Sequence, residues 1–69
     1  MNVDALRVAF TTALGEYMRQ GATMCDLLRE TVRDSEQIAR QQKTLNEARE
    51  RYESARSRYV CAVLGEFTS

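Results

Sequence analysis

Proline is absent from the chain, and glycine occurs only three times. Nothing in most of the sequence therefore breaks a helix, and charged residues with Ala, Leu and Gln dominate, the bias of a long-helix protein. Histidine is also absent, and cysteine occurs twice. Two cysteines fall short of the four N or S ligands a structural metal site usually needs, and without a CxxC spacing they offer no redox centre. No basic excess exists: ten Lys and Arg stand against ten Asp and Glu. That removes the main electrostatic argument for nucleic acid or an anionic membrane as partner. No apolar run approaches the length of a transmembrane helix. The first residues lack the regions of a signal peptide, so the expected compartment is the cytoplasm.

Catalytic patterns are missing as well. The sequence has no GxxxxGK, no GxSxG and no clustered carboxylates, which are the arrangements that cradle phosphates or activate nucleophiles. Its acidic residues fall on helix faces, mostly matched to Arg. An enzyme is not expected, nor a cofactor or a small-molecule substrate. Sixty-nine residues make one small domain, and such domains commonly lean on disulfides, metals or oligomerisation. Cys25 and Cys61 lie among apolar residues at helical spacing and read as reduced, small core-type side chains rather than a disulfide.

What the chain does contain is periodicity. Ile38, Leu45, Tyr52 and Tyr59 recur every seven residues, and Ala48, Ala55 and Ala62 recur in step, offset by three. This is a heptad seam with bulky residues at one core position and alanine at the other. The first half repeats the design, with Val3, Phe10, Tyr17 and Met24 in one row and Leu6, Ala13, Gln20 and Leu27 in the other. Asn2 is a candidate cap for the first helix, and Asp4 suits the positive end of its dipole.

Two places invite a break. Gly21 with Thr23 and Asp26 resembles the end of one helix and the capped start of another. The heptad phase nevertheless passes through Gly21 unshifted, which favours a continuous helix. The wholly polar stretch Arg33-Asp34-Ser35-Glu36-Gln37 is the better turn. Asp34 or Ser35 serves as N-cap, and Arg29 and Arg33 suit a helix C-terminus. The expected fold is all-α: one antiparallel, coiled-coil-like helical hairpin that can complete a bundle by oligomerisation. Its helices span about 3–33 and 37–65, joined by a turn at about 34–37.

A turn there sets Phe10 level with Ala62, Tyr17 with Ala55, Met24 with Ala48, Ala13 with Tyr59, Leu27 with Leu45 and Gln20 with Tyr52. Large then opposes small in most layers, which fills a seam without overpacking, and Gln20 is offered the Tyr52 phenol. On the polar face of the second helix the spacing predicts ion pairs Glu36–Arg40, Glu47–Arg51, Lys43–Glu47 and Arg49–Glu53.

The hairpin leaves apolar residues over. Leu14, Met18, Cys25, Leu28 and Val32 form a second stripe on the first helix, with Gly21 filling its gap. Val60, Leu64 and Phe67 make the end of the second helix apolar, together with Cys61 and Val63. Left in water these residues exceed the patch a soluble monomer usually shows. They are the candidate partner-binding residues, for another helical protein or for a second copy of this chain. The alternative is that they widen the core.

The stretch Ser35-Glu36-Gln37, then Gln41-Gln42, then Leu45-Asn46-Glu47-Ala48 resembles the opening of the second helix in the small needle co-chaperones of bacterial type III secretion. That resemblance implies a cytoplasmic helical hairpin. With a second, helical-repeat subunit it would hold the needle subunit monomeric before export. The stripe of the first helix would then face the larger chaperone subunit. Three functions follow as expectations: a small chaperone or adaptor, a self-assembling helical bundle, and, least supported, a nucleic-acid regulator using Arg49, Arg51, Arg56 and Arg58.

Overall fold

The computed structural model describes residues 3–30, 32 and 34–68, apart from the side chains of Phe67 and Thr68. It is an all-α helical hairpin. Helix α1 spans Val3–Arg29 and helix α2 spans Ser35–Thr68. The two pack along their length into a rod of 56 × 14 × 14 Å.

Helix α1 runs through Gly21 without a break, and no residue described has positive φ. Thr23, the candidate cap, instead donates its hydroxyl to the carbonyl of Arg19 at 3.1 Å, as Thr11 does to Arg7 at 2.9 Å. A threonine bonded back to its own helix has no lone role as a cap. A Cβ added at Gly21 would meet nothing within 4 Å. Its place in the helix interior costs about 1 kcal/mol relative to Ala, and α2 does not require it.

Helix α1 ends at Arg29, earlier than the periodicity suggests. The reason lies across the turn. Asp34 Oδ1 accepts the backbone N–H of Glu36 at 3.0 Å and of Gln37 at 3.3 Å. The Asp34 carbonyl accepts the first helical bond, from Ile38 at 3.0 Å. Asp34 is thus the N-cap of α2, outside the helical conformation, and Glu36 adds negative charge in the first turn. Reversing the chain needs several residues out of helix before that cap, so the connection takes residues 30–34 and not 34–37. Its start is a tightened last turn, with Glu30 N–H donating to the Leu27 carbonyl at 3.4 Å. At the other end α2 continues through Thr68, past the expected end at about 65. Asn2 and Arg33 lie outside the described residues.

The earlier turn slides the pairing by one heptad. Phe10 stacks on Tyr52 at 5.7 Å between ring centroids and packs tilted on Tyr59 at 5.6 Å. It therefore stands level with Ala55, midway between them, not with Ala62. Tyr17 stacks on Tyr52 at 5.5 Å, which sets it level with Ala48. Because the shift is a whole heptad, the ring layers still set large against small, Phe10 facing Ala55 and Tyr17 facing Ala48. The rings touch only along the diagonals, as a ladder of Tyr17, Tyr52, Phe10 and Tyr59. Such ring pairs contribute about 0.5–1.5 kcal/mol each beyond their buried area. Ala48 is the most deeply covered residue, at 1% exposure, and Met24 follows at 7%.

The same slide moves Gln20. It does not meet the Tyr52 phenol, whose ring is occupied by Phe10 and Tyr17. Gln41 Nε2 instead donates to Gln20 Oε1 at 2.7 Å and to the Gln20 carbonyl at 3.1 Å. Gln41 continues the Ala48–Ala55–Ala62 row by one more heptad. A polar pair in an otherwise apolar seam selects register and orientation at some cost in stability.

Candidate functional site

The seam covers one side of each helix only. Among the described residues Met24 and Ala48 alone are buried; the other seam residues, the aromatic rings included, stay half-exposed. Two rods touching along a line cannot enclose more.

Helix α1 carries the larger uncovered apolar surface. Leu14 is half-buried at the margin of the seam. Met18 is 65% exposed, Leu28 45% and Val32, on the connection, 84%. Cys25 is exposed between them. The stripe is therefore not a widening of the core. The cysteines correct the expectation of core-type side chains: both are free, and both are exposed. Their heptad positions point away from α2, so only a further chain would bury them.

Helix α2 presents a different outer surface. Its apolar residues are confined to the open end, where Val60 and Leu64 are exposed. Phe67 lies in α2, with its side chain outside the described residues. Val8 of α1, not among the candidate residues, is itself 58% exposed at this end. The signal for it was in its position, outside both seam rows. Elsewhere α2 is polar. Glu36–Arg40 forms the expected ion pair at 2.9 Å. Glu47–Arg51, Lys43–Glu47 and Arg49–Glu53 are not within ion-pair distance among the described residues. All are exposed and well solvated, where such pairs stabilise little.

A shallow open groove runs along the side of the seam away from the stripe, lined by Leu6, Ala9, Arg51, Ala55 and Arg58 among others. Near it a polar chain links the helices. Glu16 accepts from Arg19 Nη2 at 2.6 Å and from Gln20 Nε2 at 2.9 Å, and Gln20 in turn accepts from Gln41. The amide of Gln20, and after it the guanidinium of Arg19, holds the Glu16 carboxyl below its ordinary range. Arg51 of α2 adds a weaker attraction in the same direction. This network is an anchor for the seam; it faces no enclosed pocket. No group of three or more metal-ligating side chains comes together among the described residues. Nor is any helix there long and apolar enough to cross a membrane.

No family model, no curated protein and no solved structure matches the chain.

Proposed function

We propose that this chain is a non-enzymatic protein-binding module, a small chaperone or adaptor that holds a helix of another protein on the outer stripe of α1. One observation carries the reading: α1 is apolar on two sides, and α2 covers one of them. Met18, Leu28 and Val32 stand in water, although burying such a side chain is worth about 1.5–3 kcal/mol. A helix laid along the stripe would complete a three-helix arrangement, the usual way an apolar groove or face takes up an amphipathic helix. The resemblance of the start of α2 to type III secretion co-chaperones gives this reading one concrete form. In it the stripe packs on the larger chaperone subunit, and the pair keeps an export substrate monomeric.

The test uses the exposed cysteine as a reporter. A photo-crosslinker attached at Cys25, in a Cys61→Ser background, is activated in native cells. The expected result is an adduct to another protein that disappears with Leu28→Lys, while circular dichroism shows the same helix content. The reading fails if the same protein is labelled equally from Ser54→Cys with Cys25 replaced by serine, or if Leu28→Lys changes nothing.

A further inference from the structure

We infer that, in the free protein, the outer stripe of α1 is closed by the same stripe of a second copy, lying antiparallel across a two-fold axis near Ala22 and Thr23. The inference rests on the reading of this stripe as a protein-binding face and names what covers it when no other partner is present.

Surface area argues that something must. The chain exposes 5367 Å² at a mass of 7.9 kDa, where a compact monomer of that mass exposes roughly 4,400 Å². The surplus of about 950 Å² compares with about 800 Å² per partner in an ordinary stable interface. Of the large apolar side chains left exposed on α1 and the connection, Met18, Leu28 and Val32 lie on this stripe, and Val8 lies off it.

The order of residues says which occupant fits. Along the stripe run Leu14, Met18, Gly21, Cys25, Leu28 and Val32. Read backwards, the sizes follow the same order: two large, two small, two large. A two-fold contact is self-complementary by necessity, because each residue meets the partner's copy of another in the same row. Antiparallel pairing about the centre sets Met18 opposite Leu28 of the other copy and Gly21 opposite Cys25, all four within α1, with Leu14 toward the partner's connection. Where the helices cross, only small residues meet, which allows the shorter end of the helix–helix distance range. A parallel pairing would instead stack Met18 on Met18 and Leu28 on Leu28. The Gly21 position, where a Cβ has nothing within 4 Å, is unexplained by the hairpin and is accounted for by a helix arriving from outside. No charged side chain interrupts the row.

Sedimentation of the purified chain at roughly 100 µM, where a micromolar dimer is almost fully formed, is expected to show a dimer. A monomer, or an assembly larger than two, overturns the inference. Met18→Glu and Leu28→Lys are each expected to weaken the dimer at least tenfold, with helix content unchanged. The double variant sets opposite charges face to face across the axis and is expected to bind at least tenfold tighter than either single variant. Within one copy the two positions are too far apart in the helix to pair, so no rescue would overturn the antiparallel register.

Gly21→Leu adds apolar surface and a better helix former. It is expected to abolish the dimer by blocking close approach; tighter association would mean unspecific adhesion and overturn the inference. A short bis-maleimide should join Cys25 to Cys25 of the other copy, since the pairing separates them by roughly 6 Å along the helix axis. It should leave Cys61 unlinked; bridging through Cys61 instead would overturn the proposed face. A monomer that still labels another protein from Cys25, sensitive to Leu28→Lys, would remove the inference and spare the broader reading. A dimer that labels no other protein would do the reverse.

Discussion

The two helices are built from the same heptad rows but carry different loads. In α2 the positions outside the seam are Gln42, Asn46, Arg49, Glu53 and Arg56 until the last turns. One neighbour satisfies such a helix. In α1 the equivalent positions are Leu14, Met18, Cys25 and Leu28, and one neighbour half-covers the first and leaves the other three wet. A helix with a single apolar stripe belongs at the edge of an assembly; one with two stripes belongs between neighbours. The difference makes α2 the lid of the hairpin and α1 the element still waiting for a cover. It also explains how a fold can be well defined and yet nearly without a core.

That contrast is open to being broken, first at the seam. Ala48→Phe puts a ring at the most deeply covered residue, 1% exposed. A loss of about 3 kcal/mol is expected, near the upper end for overpacking, read as a fall in the urea midpoint. Met18→Glu on the other side of α1 should leave the helicity intact, so similar losses from the two changes would refute the division of α1 into a covered and an uncovered side.

Next in size is the polar pair. Gln41→Ala removes two hydrogen bonds to Gln20 and is expected to cost about 1 kcal/mol. Replacing both glutamines with leucine should recover that loss but relax the register, seen as a second set of spin-label distances between α1 and α2. A single unchanged distance would show that the rings alone hold the alignment.

Asp34→Ala removes the α2 cap and is expected to cost about 1 kcal/mol or slightly less, with amide exchange rising first at Glu36 and Gln37. Unchanged exchange at those amides would mean that something other than Asp34 holds the turn.

The smallest effect concerns pH. Glu16 has its folded pKa lowered, first by Gln20 and then by Arg19. Its contribution is present in full above the unfolded carboxylate value and is lost as pH falls through the lowered folded value. The urea midpoint of the native chain should therefore drop on acidification by slightly more than that of Glu16→Gln. Parallel curves would show that the carboxylate lends nothing to the seam.

Much of this molecule is legible in the sequence because helices bury residues at a fixed period. The rows of Phe10 and Tyr52, the continuity through Gly21, and the uncovered character of Met18 and Leu28 all follow from spacing. The register does not. A heptad pattern is unchanged by a slide of seven, so Phe10 opposite Ala62 and Phe10 opposite Ala55 look alike on the page. Gln41 is hidden for a related reason: as a glutamine it does not announce itself in an alanine row, and only its partner across the turn gives it a role. The expectation that Cys25 and Cys61 were core residues failed because apolar neighbours in sequence are not neighbours on the covered side of a helix.

By itself, then, the order of amino acids determined two amphipathic helices, their antiparallel closure and a surplus of apolar surface on the first. Those are consequences of period and composition, which act along the chain. Which layers meet was decided only in three dimensions. Asp34 caps α2, the reversal falls at residues 30–34, and the placement of that reversal selects one of several alignments that spacing alone cannot tell apart.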